Sequence, residues 1–342
     1  EISACLVGSE MCIRDSYGPK ELVLGAVNAV KEYGCETVLV GDEKIIRELL
    51  VKYGADKNPK ITIHHASEVI AMDEHPAIAV KSKKDASIVV AAGLLRNKEC
   101  DALVSSGSTG AAVASALFCV GRIRGVERPA IATPIPSLKG TTVVLDSGAK
   151  VDAKPEHMVQ SAIMGTVYAE KILKISQPKV GLLNIGEEET KGNEQALATY
   201  PLLKDTRTIN FIGNVEGRDI NKGTVDVVVC DGFVGNVVLK FGEGLAKAIM
   251  TLIKEAIMNG GILAKLGGLL IKPALKGLKK RLDPAEYGGA LLLGIRAPFI
   301  ICHGSSKAKA ITNAIHVAMD FAEQDVVSII KDKIAESKEM RN

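Results

Sequence analysis

The chain has 342 residues, a formal net charge of +3 and an apolar fraction of 47%, enough to bury a sizeable core in one large α/β unit or two lobes. So small a charge, with no arginine-rich arm and no basic run interleaved with aromatics, argues against a nucleic acid partner. Seven cysteines show neither CxxC spacing nor clustering with histidine, which suggests neither a zinc site nor a disulfide framework and fits a reducing cytoplasm.

Residues 1–16, EISACLVGSEMCIRDS, contain one candidate strand at 2–7 but do not continue into the pattern that follows. They are expected not to be the native beginning, and residues 17–342 are read as a single α/β domain. From Tyr17 the pattern is regular: a helix near 19–33 with Leu22, Ala26, Ala29 and Val30 on one face, a strand at 36–40, a helix at 43–53 and a short strand at 61–64. A helix at 85–96 leads to a strand at 102–105, the loop Ser106, Gly107, Ser108, Thr109, Gly110, and a small-residue helix at 111–119. Strands near 130–134 and 142–145 follow, the second ending in Asp146-Ser147-Gly148-Ala149. Asp152 is a candidate cap for a long helix from about Pro155, striped by Met158, Ala162, Gly165, Ala169 and Ile172.

Residues 180–194, VGLLNIGEEETKGNE, run from an apolar strand into a polar turn whose one cation is Lys191, then into a helix through about 203. A strand at 209–212 leads to the loop 213–217, and the strand 226–230 ends in DGFVGN. The helix that follows runs to about Met258, and its apolar positions from Val234 to Leu252 recur near every 3.5 residues, the pattern of packing against another long helix. A strand at 298–302 and HGSS open the helix 308–321. Strand, glycine-rich turn and helix thus recur five or more times, which predicts a mainly parallel sheet covered on both faces.

In a parallel sheet the polar turns gather beyond the carboxyl ends of the strands, where glycine and a helix start expose N–H groups to phosphate or another oxyanion. Six turns qualify: 106–110, 146–148, 184–193, 213–217, 231–236 and 303–306. Singly, each reads equally as turn and capping chemistry, Lys191 as a solvated helix-start lysine, and His303 as a hydrogen-bonded strand-end residue. Neither GxGxxG nor GxxxxGK[ST] is present, and no cofactor is expected. Cys230 closes an apolar strand with no histidine beside it in sequence, and reads as packing rather than as a nucleophile.

Residues 260–282 differ from the rest. Lys265, Lys272, Lys276, Lys279, Lys280 and Arg281 occur with no acid, beside an apolar side that includes Leu269 and Leu270. Such a stretch suits an anionic membrane surface or an acidic protein partner, and equally a helix packed on a second subunit with its lysines solvated. Pro273 and Gly267-Gly268 predict a break in it. No apolar stretch reaches the roughly 20 residues of a spanning helix, and no signal peptide is evident.

Taken together, SGSTGA at 106–111, ERPAIATPIP at 127–136, LDSGAKVDAKPEH at 145–157, KGNE at 191–194, FIGNVEGRD at 211–219, DGFVGN at 231–236, YGGALLLG at 287–294 and HGSS at 303–306 resemble the bacterial phosphate acyltransferase (PlsX) family. The resemblance implies a three-layer α/β/α sandwich akin to phosphotransacetylases and isocitrate dehydrogenases, with a protruding helical pair in the region 234–285. It implies transfer of a fatty acyl group from acyl carrier protein to inorganic phosphate, giving acyl phosphate for phospholipid synthesis, by a cytoplasmic homodimer peripherally associated with the membrane. Residues 12–16 depart from the family's DAMGGD, Ser108 stands where Asn is frequent, and Ser147 where Val is frequent. With loop position, the resemblance assigns Lys191 and Asn236 to the carbonyl or the phosphate, Ser106, Ser108, Thr109 and His303 to supporting donation, and Asn184, Asn214 and Asp231 to orienting this set. Gly107, Gly110, Asp146, Asn193 and Ser305 complete the expected phosphate and substrate site. A dehydrogenase on a related fold and a non-catalytic membrane-surface scaffold are the rival readings.

Overall fold

Apolar runs such as Val227–Val229, buried on both faces, alternate with segments whose apolar residues recur at helical spacing, so strands and helices alternate along the chain. The computed structural model describes residues 3–7 and 18–340. It runs β1 (Ser3–Val7), α1 (Gly18–Tyr33), β2 (Glu36–Gly41), α2 (Glu43–Lys52), β3 (Ile61–His65), α3 (Pro76–Ser82), α4 (Ser87–Arg96), β4 (Ala102–Ser105), α5 (Thr109–Ser115) with a π-helical extension, β5 (Ala130–Ser137) and β6 (Gly140–Leu145). It continues with α6 (Pro155–Lys171), β7 (Lys179–Leu183), α7 (Glu194–Lys204), β8 (Asn210–Val215), α8 (Gly217–Lys222), β9 (Val227–Val229), α9 (Gly232–Asn259), α10 (Gly261–Leu282), β10 (Ala290–Leu293), β11 (Phe299–Ile301), α11 (Ala308–Glu323) and α12 (Val326–Glu339).

The strands form one sheet of order β3-β2-β1-β4-β11-β10-β5-β6-β9-β7-β8. Pairing is parallel except at β11/β10, β10/β5 and β5/β6. One face is covered by α1, α2, α6, α7, α11 and α12 over a single large core. The other carries α3, α4 and α5 over one end and α8 with the start of α9 over the other. This is the three-layer arrangement that the sequence predicts.

Three readings need correction or addition. The cap of α6 is Lys154, whose N–H donates to His157 Nδ1 at 3.1 Å, rather than Asp152. The strand β10 was not foreseen, because the short apolar run ALLL has no period that separates strand from buried helix. Pro273 and Gly267-Gly268 do not break the basic segment: α10 is continuous. The bond Pro273 withholds would end on the carbonyl of Leu269, a residue 64% exposed, where water can replace it. A Cβ on Gly268 would run into Ile257 of α9, so the small residue serves the helix pair.

That pair protrudes. α9 has 28 residues, about 42 Å of helix, and only Gly232 and Gly235 in it are buried. Ile253 and Ile257 of α9 are half-buried and line a small cavity with Leu275 of α10. The 3.5-residue stripe is not what meets α10: Val234, Phe241, Leu245 and Leu252 stay 37–69% exposed. Of residues 1–16, only Ser3–Val7 fall among those described, as the strand between β2 and β4.

Candidate active site

Four of the six polar turns share an edge of the sheet. β6, β9, β7 and β8 are neighbours running the same way, so Asp146, Asp231, Asn184 and Glu216 leave it side by side. β4 and β11 run the opposite way, because direction reverses three times between β11 and β6. The loops 106–110 and 303–306 therefore leave at the other edge. This corrects the expectation of one common edge: alternating strands and helices do not reveal where neighbours pair antiparallel.

The turn after β6 reaches towards both groups. Asp146 Oδ1 accepts from the N–H groups of Ile131 (2.9 Å), Gly148 (3.2 Å) and Ala149 (3.0 Å), and Oδ2 from Lys150 (2.9 Å). Burial pushes this carboxyl up, and the four N–H groups pull it back towards the ionised form. Its oxygens thus hold the turn in shape. Ser147 Oγ lies 2.5 Å from Thr133 Oγ1, and Ala149 packs against the cluster that contains Ala111 and Ala112 of α5.

On its other side the turn meets the start of α9. Asp231 caps that helix, its Oδ1 accepting from Phe233 and Val234 N–H at 2.9 Å each. The carbonyl of Lys150 accepts from Gly232 N–H at 2.8 Å. A Cβ on Gly235 would run into the carbonyl oxygen of Asp146, and one on Gly148 would stand 2.7 Å from Nδ2 of Asn236. With φ at +133°, Gly148 is also in backbone territory that side chains avoid. The exposed amide of Asn236 is therefore seated on a glycine floor.

Beside it, Asn184 and Asn214 build the loop of Lys191. Asn184 Nδ2 donates to the Lys191 carbonyl (3.0 Å), Asn214 Nδ2 to the Glu188 carbonyl (2.8 Å), and Lys191 N–H to that same Glu188 carbonyl (3.1 Å). Asn193 caps α7 through Ala196 N–H at 2.9 Å. Glu189 turns away to Lys204 (2.8 Å) and Tyr200 (3.0 Å), which hold its carboxyl below the usual range. None of Glu187, Glu188 and Glu189 pairs with the exposed Lys191, whose ammonium has no partner among the described residues. A lysine tethered by its backbone and left unpaired at its tip is available to a substrate. Asn214 Oδ1 is likewise buried and unpaired.

At the other edge, Ser108 caps α5, accepting from Ala111 N–H at 3.3 Å, while Gly107 is buried and Ser106, Thr109 and Gly110 are partly or fully open. His303 is exposed; its Nδ1 accepts from Ser305 N–H (3.1 Å) and lies 2.6 Å from Ser305 Oγ, which leaves Nε2–H as the outward donor of the neutral ring. Gly304 approaches Met72 and Gly110 approaches Pro76, so the segment leading into α3 borders both loops. Sequence reasoning missed Ser105, whose buried Oγ has no partner at the base of the first loop; a hydroxyl closing the strand ALVS was the available signal. It also missed Thr133, Lys150 and His157, and took Gly148 only as part of the turn 146–148. Burial pushes the Cys230 thiol well up and that of Cys302 to about 12, so neither is a ready thiolate.

On the helical pair, Lys265, Lys272 and Lys276 are exposed together with Leu269 (64%) and Leu270 (84%). Lys279, Lys280 and Arg281 belong to the same helix, and their side chains lie outside the described residues. Among the described residues no helix is long and apolar enough to cross a membrane, and no cluster of His, Cys, Asp and Glu is arranged to hold a metal ion.

Comparison with known proteins gives these turns a context. Residues 12–329 match the model of a family described as "Fatty acid synthesis protein". The chain is 55% identical over 318 residues to a phosphate acyltransferase of Pelotomaculum thermopropionicum, covering 93% of this chain and 92% of that one. It is 54% identical, again over 318 residues, to that of Heliobacterium modesticaldum, covering 93% and 94%. Among solved structures, a phosphotransacetylase from Streptococcus pyogenes superimposes with a TM-score of 0.64 at 17% identity, covering 94% of each chain. A branched-chain phosphotransacylase from Enterococcus faecalis gives 0.55 at 12% identity, covering 94% and 99%. At such identities these two support the fold alone.

Proposed function

The chain belongs to the phosphate acyltransferase family of fatty acid synthesis proteins, and from that premise we propose that it moves a fatty acyl group from acyl carrier protein thioester to inorganic phosphate, yielding acyl phosphate for phospholipid synthesis. An acyltransferase family leaves the dehydrogenase and scaffold readings without support. In the proposed reaction a phosphate oxygen attacks the thioester carbonyl, a tetrahedral oxyanion forms, and its collapse expels the carrier thiolate. Phosphate is partly a dianion near neutral pH, so a strong general base is not obligatory. The protein's task is to hold two anionic reactants close and to stabilise the developing oxyanion.

The observation that carries this reading is the unpaired Lys191 ammonium on the same sheet edge as the Asn236 amide seated over Gly148. Both are donors fixed through their backbones. In the proposal they polarise the carbonyl or hold phosphate, with Asn184, Asn214 and Asp231 setting their loops. Ser106, Ser108, Thr109 and His303 serve as supporting donors on the other loop group, with Gly107, Gly110, Asn193 and Ser305 shaping the turns. Asp146 acts through the turn it ties together.

The open stripe of α9 and the basic side of α10 support two further parts of the proposal: self-association as a homodimer through the helical pair, and peripheral contact of its tip with an anionic membrane or with the acidic carrier. The cell location then follows as cytoplasmic, at the inner face of the membrane. The deciding experiment incubates the protein with acyl carrier protein thioester and phosphate and measures phosphate-dependent acyl phosphate. Lys191→Ala is expected to lower its formation about 10²- to 10³-fold, the cost of one lost oxyanion donor. An unimpaired variant would remove Lys191 from the mechanism, and a wild type that forms no acyl phosphate would overturn the reaction.

A further inference from the structure

At the edge that holds Asn236 and Lys191, β5 begins as β6 ends, and this brings Arg128 beside the turn 146–150 and the first residues of α6. His157, 7% exposed, organises the corner. Its Nδ1 accepts from Lys154 N–H at 3.1 Å and lies 3.1 Å from Lys150 Nζ, while Nε2 lies 3.3 Å from Glu127 Oε2. Two donors on Nδ1 place the ring proton on Nε2, towards Glu127. His157 thus takes one N–H of the Lys150 ammonium as a neutral acceptor and leaves the other two unused.

The side chains of Arg128 and Lys154 form no hydrogen bond or ion pair among the described residues. Three basic side chains, Lys150, Arg128 and Lys154, therefore face two carboxylates, Glu127 and Asp152, of which Glu127 is taken up by His157. Burial, then Arg128, then Lys154 push the Lys150 ammonium below its ordinary value. Such mutual repulsion is what a bound anion relieves. The corner is also adjacent to the proposed chemistry, since the Lys150 backbone is bonded to Gly232 at the start of the helix that carries Asn236.

We propose that Lys150 and Arg128, with Lys154 at the rim, form a binding site for a phosphate-class oxyanion used in acyl transfer. The fork of Arg128 and the two free N–H groups of Lys150 suit the oxygens of a tetrahedral anion. Two sources carry this chemistry: inorganic phosphate itself, and the phosphodiester of a phosphopantetheine arm that brings the thioester. The inference rests on the proposed acyl transfer for its choice of ligand, and its test is separable from it.

Inorganic phosphate is titrated into the full-length protein by calorimetry, and turnover is compared between acyl phosphopantetheine and acyl pantetheine thioesters. The variants are Lys150→Met, Arg128→Met and the charge-conserving Lys150→Arg. If phosphate occupies the site, Lys150→Met and Arg128→Met bind it at least about tenfold more weakly, the scale of one charge-assisted bond, while Lys150→Arg stays within about threefold of wild type. If the phosphate of the phosphopantetheine arm occupies it, phosphate binding is unchanged and the preference for phosphopantetheine over pantetheine thioester is lost in the two Met variants. Either result supports the site. Unchanged phosphate affinity together with unchanged thioester preference in both Met variants overturns it. Phosphate binding that the Met variants lose, in a protein that forms no acyl phosphate, would leave the site standing and overturn the reaction.

Discussion

Substituting Gly148 by Ala tests whether the seat beneath Asn236 sets the rate. The new Cβ would lie 2.7 Å from Asn236 Nδ2, 3.7 Å from Cγ and 3.9 Å from Cβ, so the amide has to retreat by several tenths of an ångström to reach ordinary contact. Misplacing a reacting group by about 1 Å costs on the order of 10²-fold in rate, and losing an oxyanion donor costs about 10²- to 10³-fold. A loss of roughly 10²-fold in acyl phosphate formation is therefore expected. The backbone at φ +133° adds a stability cost of about 1–3 kcal/mol, read separately by denaturant unfolding. The assay is phosphate-dependent acyl phosphate formation in Gly148→Ala, Asn236→Ala and the double variant. If Gly148 acts through Asn236, the two losses do not add. A Gly148→Ala rate within about threefold of wild type, or fully additive losses, would refute the reasoning.

Other consequences are simpler to state. Asp231→Ala removes the cap on Phe233 and Val234 and is expected to destabilise the fold by about 1 kcal/mol in chemical denaturation; an unchanged midpoint would count against that role. His157 is pushed below 6.5 by burial first and then by Lys150, with Glu127 opposing and Arg128 adding to the depression. A depressed folded value means stability that is present above pH 6.5 and lost as pH falls through the folded value. Thermal stability of the wild type should therefore fall on acidification below about pH 6.5 more steeply than that of His157→Gln; identical slopes would contradict this. On the helical pair, Leu245→Glu with Leu252→Glu should shift the protein towards monomer in light scattering, and Gln at Lys265, Lys272 and Lys276 should weaken binding to anionic vesicles. Unchanged mass and unchanged binding would return these faces to simple solvation.

The fold was legible where local chemistry dictates it. The apolar stripe after DGFVGN reads as a long helix, and α9 is one; the structure adds the capping bonds of Asp231. Lys191 was legible as a lysine at a strand-to-helix turn, but that Tyr200 and Lys204 draw neighbouring Glu189 away from it rests on contacts that sequence distance hides. Strand direction was legible only in part: the alternation of strands and helices predicts the parallel majority, but not the three antiparallel pairings. An apolar run such as Leu291–Leu293 has the same composition whether it pairs parallel or antiparallel, so the division of the polar turns between two edges appears only in the register. Gly148 illustrates the same limit from the other side. It reads as a turn glycine, whereas its second role depends on Asn236, 88 positions further along the chain.

One consequence of the strand order concerns how the molecule is made. β11, residues Phe299–Ile301, occupies an interior place between β4 and β10, and α11 beyond it packs on α1 through Ile311 and Gly25. During synthesis, therefore, β4 and β5 each wait with an open apolar edge until residues 290–301 have left the ribosome. Closure joins residues about 200 positions apart, as in Phe299 with Leu103, and contacts so distant in sequence form slowly. The nascent chain spends its vulnerable period with two sticky strand edges exposed, and a polypeptide terminated before Ala290 would keep both open.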